Sequence, residues 1–193
     1  MSNGMDVTRH EHVFNPATFD YPVQIIGAGA TGSRVFAALV ELGMKKISVY
    51  DDDTVEEHNL ANQLYLKRDV GSPKVDGCSR YAMDKLGRNV PRGFKFRNRR
   101  VTSHYIGEMG YASEGIIFLL TDSMESREDI FNGLCRKCDY AMLDTNVAAP
   151  LLMIETRMGS THGSILTVNP FDMEQREAWR STLVDETDPD NIE

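Results

Sequence analysis

Short apolar runs alternate with amphipathic segments along the first half of the chain. The runs Pro22–Gly27 and Lys46–Asp51 have the length and composition of buried strands. Between them, the segment SRVFAALVELG carries apolar residues at helical spacing, and Gly43 is placed to end this helix. A second helix is predicted over Ser72–Gly87, with Ser72 able to cap its first turn.

The second half of the chain continues this alternation. An alternating apolar and basic strand is predicted over Phe94–Val101, and a fully buried strand over Gly115–Leu120. The helix MESREDIFNGLCRKC follows, and then a strand at Tyr140–Thr145. The segments LLMIETR and GSILTVNP predict two strands joined by a turn at Gly159–Gly163, and Phe171–Leu183 predicts a short helix.

Strands that alternate with helices predict an α/β fold with a doubly wound, mostly parallel, Rossmann-like sheet. Right-handed crossovers place the carboxyl ends of the strands at one edge of such a sheet, where ligands bind. The loops that follow Ile26, Tyr50 and Leu120 reach this edge, and they carry GAGATG, DDDTV and TDS. We therefore expect the functional site in these three loops.

The first of these loops is built to approach a phosphate. Gly27, Gly29 and Gly32 allow a tight turn, and the helix that follows supplies N–H donors and the positive end of its dipole. Asp51 ends the next strand, the usual position of an acid that accepts hydrogen bonds from ribose hydroxyls. Asp53 is placed to assist nucleotide or metal binding. These residues predict a nucleotide site but leave both NAD and ATP open.

Composition and charge narrow the class of protein. A net charge of −8, from 29 acidic and 21 basic residues, disfavours broad binding to nucleic acid or to a membrane surface. No apolar run approaches the roughly 20 residues of a membrane helix, and the N-terminus has no hydrophobic signal region. We expect a cytoplasmic protein with a single domain over residues 21–183, between an N-terminal arm, 1–20, and an acidic tail, 184–193.

The stretch after the second strand favours ATP over NAD. DDDTVEEHNLANQLYLKRDVGSPK resembles the corresponding segment of the ThiF-type, ubiquitin-activating-enzyme-like adenylating family, whose patterns are Asp-x-Asp-x-Val, Asn-Leu-x-Arg-Gln and Val-Gly-x-x-Lys. The matching residues are Asp51, Asp53, Val55, Asn59, Leu60, Gln63, Val70, Gly71 and Lys74. Downstream, LLTDSMESR matches the family's acidic residue between a buried strand and a helix, here Asp122. The resemblance runs from about Val23 to Asp144.

The resemblance implies an ATP-dependent adenylyltransferase that uses Mg²⁺ and activates a carboxylate as an acyl-adenylate. The substrate would be the C-terminus of a ubiquitin-like protein or peptide. Lys74 would hold phosphate and Asp122 would bind Mg²⁺, which together offset the repulsion between the carboxylate and the triphosphate. Asn59 and Gln63 would contact the nucleotide or fix the loop.

One departure from the family pattern concerns its cations. Asn62 stands where the family has arginine, so a cation is lost among the expected nucleotide contacts. Arg34, just after the glycine-rich loop, could replace it, as could Lys67 or Arg68. Homodimers of the family often place an arginine from the partner's N-terminal arm near the phosphates. The resemblance therefore implies a homodimer with Arg9 as a catalytic candidate.

Cysteine usage also differs from that of many relatives, which carry a downstream acyl-accepting cysteine or paired Cys-x-x-Cys zinc ligands. Cys135 and Cys138 form a single Cys-x-x-Cys without the second pair that a zinc site needs, and no cysteine follows them. They share a helical stripe with Ile130, Phe131 and Leu134, which favours core packing. We expect neither zinc nor an internal catalytic cysteine.

Two alternative functions stay open. The chain could be a non-catalytic, nucleotide-binding partner subunit, which Asn62 and the missing cysteine favour but Lys74 and Asp122 oppose. A Rossmann-type NAD(P)-dependent oxidoreductase is the less favoured alternative, because such an enzyme has no use for the Asn-Leu-x-x-Gln and Val-Gly-x-x-Lys patterns.

Overall fold

The computed structural model describes residues 6, 8–9, 11–109, 113–158 and 161–183. The chain divides into two compact units, Met1–Arg100 and Val101–Glu193, each with its own strands and helices. No helix in the described ranges is long and apolar enough to cross a lipid bilayer.

The first unit contains three parallel strands, with the second strand between the other two. Ile25, Val49 and Phe96 lie side by side in this register. The strands are β1 (Val23–Ile26), β2 (Ile47–Asp51) and β3 (Lys95–Asn98), and the helices are α1 (Ala30–Glu41) and α2 (Lys74–Leu86). Short 3-10 turns cover Glu57–Ala61, Lys67–Asp69 and Gly87–Asn89.

The core of the first unit is aromatic where helices meet the outer strand. Phe36 of α1 is fully buried and packs edge-on against Tyr81 of α2 and against Phe94 and Phe96 near and within β3. The ring centroids lie 5.7 to 6.3 Å apart, the separation that aromatic pairs prefer. Gly43 follows α1 with a φ of 81°, a left-handed conformation that favours glycine, as the sequence predicted.

The predicted capping of α2 by Ser72 is wrong. The helix begins at Lys74, with Pro73 at the N-cap and no side-chain cap. The carbonyl of Ser72 instead accepts a hydrogen bond from the N–H of Val55, and Pro73 pairs with Thr54 as an antiparallel bridge. This pairing holds residues 72–73 extended up to the helix start.

The second unit contains one parallel and one antiparallel strand pair. β4 (Gly115–Leu119) runs parallel to β5 (Pro150–Met158), and β5 forms an antiparallel hairpin with β6 (Gly163–Val168). The helices are α3 (Ser103–Met109), α4 (Met124–Leu143) and α5 (Met173–Arg180). The predicted hairpin is confirmed, and the α/β fold class with mostly parallel strands is confirmed as well.

The strand predicted at Tyr140–Thr145 is wrong, because α4 continues through it to Leu143. The N–H of Asp144 closes the last turn on the carbonyl of Tyr140 at 2.9 Å. The three large apolar side chains of this segment are mostly exposed: Tyr140, Met142 and Leu143. A short apolar run does not distinguish a strand from the end of a helix, and here Ala, Met and Leu favour the helix.

Candidate nucleotide-binding site

The glycine-rich loop leaves space at the start of α1. Gly27 has a φ of 98° and donates its N–H to the carbonyl of Tyr50 at 2.9 Å. Gly29 is the N-cap of α1, no side chain caps this helix, and a Cβ built on Gly29 would have no described atom within 4 Å. Gly32 is buried in the first turn. An uncapped helix start with open space in front of it fits a phosphate group.

Asp51 links this loop to the next one. One carboxylate oxygen accepts the N–H of Ala28 at 2.6 Å, and the other accepts the N–H of Asp53 at 2.9 Å. Burial raises the pKa of Asp51, and these two backbone hydrogen bonds oppose that rise. Since each carboxylate oxygen has a further lone pair, Asp51 can still accept hydrogen bonds from ribose hydroxyls.

Lys74 is held by an ion pair at the start of α2. Its Nζ lies 2.6 Å from a carboxylate oxygen of Asp53, and its backbone N–H donates to the Asp53 carbonyl at 2.9 Å. The Lys74 side chain is only 9% exposed, whereas that of Asp53 is 65% exposed. An ammonium group has three donors, so the pair fixes Lys74 without using up its capacity to bind a phosphate oxygen.

The Asn59–Gln63 segment contains one buried polar side chain that fixes the loop and another whose oxygen has no described partner. Asn59 is buried, and its Oδ1 accepts the N–H of Glu56 at 2.8 Å, so this side chain fixes the loop. Gln63 donates its N–H to the Asn59 carbonyl at 2.9 Å. Its Oε1 is buried and has no hydrogen-bond partner among the described residues. Asn62 is exposed at the end of the turn.

Arg34 is the candidate cation that contacts the loop around Asn62. Its Nη2 donates to the carbonyl of Gln63 at 2.9 Å. Lys67 and Arg68 form ion pairs elsewhere, with the exposed acids Glu57 and Asp84. Arg9 is exposed in the N-terminal arm. Among the three predicted replacements for the family arginine, Arg34 is the one that hydrogen-bonds the residue next to Asn62, whereas Lys67 pairs with Glu57 at the start of the same turn.

Sequence reasoning missed Tyr65, whose side chain holds the backbone of the glycine-rich loop. Its hydroxyl donates to the carbonyl of Ala28 at 2.6 Å, so both sides of the Ala28 peptide are held. The ring lies against Gly77, where an added Cβ would come within 2.5 Å of a ring carbon. A glycine inside the pattern of α2 was the available signal, because such a glycine often marks close packing.

Asp122 lies in the second unit, between β4 and α4. Ser123 caps α4, with its Oγ accepting the N–H of Ser126 at 3.2 Å. Asp122 is exposed, and its carboxylate has no hydrogen bond or ion pair with another described residue of this unit. No group of three metal-binding side chains occurs within the described ranges. One free carboxylate fits Mg²⁺ as proteins often hold it, through one or two carboxylates together with phosphate oxygens.

The fold and these loops define a Rossmann-like α/β protein. The model of the ThiF family matches residues 17–191, which is most of the chain. The chain belongs to the ThiF family.

Curated relatives agree with this assignment. The chain is 30% identical over 132 residues to the NEDD8-activating enzyme E1 catalytic subunit of Dictyostelium discoideum, covering 67% of this chain and 28% of that protein. It is 28% identical over 115 residues to the SAMP-activating enzyme E1 of Haloferax volcanii, covering 59% and 41%. The chain thus spans well under half the length of these relatives.

Solved structures share the fold. The crystal structure of selenomethionine PaaA has a TM-score of 0.58 at 21% identity, covering 79% of this chain and 42% of that one. The crystal structure of E. coli MccB with MccA-N7isoASN has a TM-score of 0.54 at 20% identity, covering 70% and 36%.

Proposed function

We propose that the chain is an ATP-dependent adenylyltransferase that activates a carboxylate, the C-terminus of a ubiquitin-like protein or peptide. Membership of the ThiF family over residues 17–191 carries the proposal. The names of the relatives support it, since both are activating enzymes, for NEDD8 and for SAMP. The open, uncapped start of α1 beside Asp51 supports a nucleotide as the ligand.

In this proposal the first unit binds ATP. The start of α1 donates N–H groups to the phosphates, and Asp51 accepts hydrogen bonds from the ribose. Lys74, already oriented by Asp53 at 2.6 Å, contacts a phosphate oxygen. Gln63 Oε1 offers an acceptor to the nucleotide, and Arg34 provides the positive charge that Asn62 lacks.

Asp122 is the residue that would hold Mg²⁺ in the second unit. The ion would neutralise charge on the phosphates as the substrate carboxylate attacks the α-phosphate and pyrophosphate departs. The attack forms one bond between a carboxylate oxygen and phosphorus and breaks the bond to the pyrophosphate oxygen. Positioning and electrostatics supply most of the catalysis in such a step.

The acyl-adenylate would pass to an external nucleophile. All three cysteines are buried, which supports an acceptor outside the chain. A homodimer, with Arg9 of one subunit near the phosphates of the other, completes the proposed site.

The test is exchange of labelled pyrophosphate into ATP, with peptides ending in a free or an amidated carboxyl group. We expect exchange with the free carboxyl peptide alone, and its loss in Asp122→Asn, because a neutral amide is a poor Mg²⁺ ligand beside a carboxylate. The matched control is Glu125→Gln, another neutralised acid near the start of α4, which should keep full exchange. The fold of both variants is checked by thermal melting.

Equal exchange by Asp122→Asn and the wild type would contradict the role of Asp122. The replacement of the family arginine by Asn62 favours a second candidate function, a non-catalytic nucleotide-binding subunit. Binding of Mg-ATP, seen as a rise in melting temperature, without exchange for any carboxylate would support this candidate. Stabilisation by NAD alone would reject both.

A further inference from the structure

A fully buried carboxylate joins three elements of the second unit. Glu155 of β5 is 0% exposed. Its Oε1 lies 2.6 Å from Nη1 of Arg127 in the first turn of α4, and 2.9 Å from Nε of Arg157. Its Oε2 accepts hydrogen bonds from Nη2 of Arg157 and from the indole N–H of Trp179 on α5. These donors outweigh the burial that would raise the pKa of Glu155, and they hold it below its ordinary value.

Arg127 links the buried Glu155 carboxylate to the loop that contains Asp122. Its Nη2 donates to the carbonyl of Thr121, the residue directly before Asp122. Its Nη1 also donates to the carbonyl of Thr156 at 3.0 Å. The side chain is 8% exposed, so its geometry is set by packing as well as by hydrogen bonds.

Arg157 shares Glu155 but leads elsewhere. Its Nη1 donates to the carbonyl of Thr182, beyond α5, at 2.7 Å. Both arginines therefore bind the same carboxylate, and both are anchored to a backbone carbonyl. Of these two arginines, only Arg127 contacts the loop before Asp122. Arg157 therefore serves as the matched control for Arg127.

We propose that Arg127, anchored by Glu155, is a positioning residue that fixes the Thr121–Asp122 loop for divalent-metal binding by Asp122. The inference rests on the proposed function, because it concerns the same metal. Arg127 would touch neither metal nor nucleotide, because it acts through the backbone of Thr121. A metal ligand on a short loop needs such support, since a free loop spends part of its time in other conformations.

Two unpaired polar atoms lie in the same region. Nε of Arg127 and Oγ1 of Thr121 are buried and have no hydrogen-bond partner among the described residues. Buried polar atoms are nearly always paired with protein, water or ligand, so these two atoms could accommodate an ordered water beside the loop. One atom belongs to Arg127 and the other to Thr121, the two residues that the proposal connects.

The test compares Arg127→Lys with Arg157→Lys in the full-length chain. Each keeps a positive charge near Glu155 and removes the guanidinium contact to its own carbonyl. Mn²⁺ binding in the presence of ATP is followed by electron paramagnetic resonance, which requires no turnover. We expect Arg127→Lys to raise the Mn²⁺ dissociation constant by about tenfold, as loss of an outer-shell partner commonly does, and Arg157→Lys to leave it unchanged.

A second variant, Glu155→Gln, keeps both arginines and removes the charge that anchors them. It should also raise the Mn²⁺ dissociation constant, and it answers the question if Arg127→Lys does not fold. Equal weakening in Arg157→Lys and Arg127→Lys, at equal loss of melting temperature, would overturn the proposal in favour of a general structural role. Unchanged Mn²⁺ binding in folded Arg127→Lys, or no Mn²⁺ binding by the wild type with ATP, would overturn it too.

These results separate the inference from the proposed function. Wild type that binds Mn²⁺ with ATP but never exchanges pyrophosphate would remove the adenylation reaction. The difference between the two arginine variants would still decide whether Arg127 positions the loop.

Discussion

At the scale of single residues, the packing of Tyr65 on Gly77 decides what position 77 can be. Alanine normally stabilises a helix relative to glycine by about 1 kcal/mol. Here its Cβ would overlap the Tyr65 ring at 2.5 Å, and this ring is held by the hydrogen bond from its hydroxyl to Ala28. The local clash therefore opposes the intrinsic preference of the helix.

We predict that Gly77→Ala destabilises the protein by about 1–3 kcal/mol, the usual result of overpacking a core. The control is Gly107→Ala in α3, where an added Cβ meets no described atom within 4 Å, and which should be neutral or stabilising. Urea denaturation of both variants measures the difference. An equal gain in stability in both would show that the Tyr65 ring moves aside without penalty.

The candidate site residues were selected from the sequence by their spacing, and their role in nucleotide binding stays a prediction. Gly29, Asp51 and Lys74 belong to patterns with fixed spacing, and they lie at the N-cap of α1, the end of β2 and the start of α2. Tyr65 and Glu155 could not be found in this way, because their roles come from partners far away in the chain. Ala28 and Arg127 are 37 and 28 residues from them, respectively.

At the scale of elements, α2 and α4 turn their thiols inward. Cys78 lies on α2, and Cys135 and Cys138 lie on α4 beside Leu134, as the predicted stripe required. Burial raises the pKa of both Cys78 and Cys138 to about 12. A thiol with such a pKa is almost entirely protonated at neutral pH, and the thiolate is the reactive form.

We predict that no cysteine of the native protein reacts rapidly with a thiol reagent such as DTNB at pH 8. All three should react once urea unfolds the chain, which counts them and serves as the control. Rapid modification of one native thiol, assigned by mass spectrometry, would contradict this and reopen an acyl-carrier role for that cysteine.

Some helices and strands could be predicted from the sequence pattern, and others could not. The buried strands β1 and β2 and the hairpin of β5 and β6 were predicted, because their apolar runs lie between turn residues. The strand β4 was also predicted, but it is buried only at alternate residues and not throughout. The end of α4 was not predicted. Helix and strand compete for the short apolar run within Tyr140–Thr145, and continuity with the preceding helical turns favoured the helix. The short α3 likewise lacked a periodic signal of its own.

At the scale of the whole molecule, the proposed homodimer places residues of two subunits in one site. Arg9 would come from one subunit and Lys74 from the other. Each site would then need Arg9 from one subunit and Lys74 from the other. A dimer formed from two different variants could therefore keep one intact site.

We predict that Arg9→Ala and Lys74→Ala are each inactive in pyrophosphate exchange, and that mixing them after dissociation restores activity. In a randomly mixed dimer population half the dimers are mixed, and each has one intact site, so about a quarter of wild-type activity should return. Sedimentation of each variant checks that it still dimerises. No recovery on mixing, with subunit exchange verified, would place Arg9 outside the partner's site.

The contact of Tyr65 with Gly77 also constrains the route by which this sequence can change. A side chain at position 77 fits without a clash only when the aromatic ring at position 65 is replaced by something smaller. The two substitutions are therefore accessible in one order and penalised in the other.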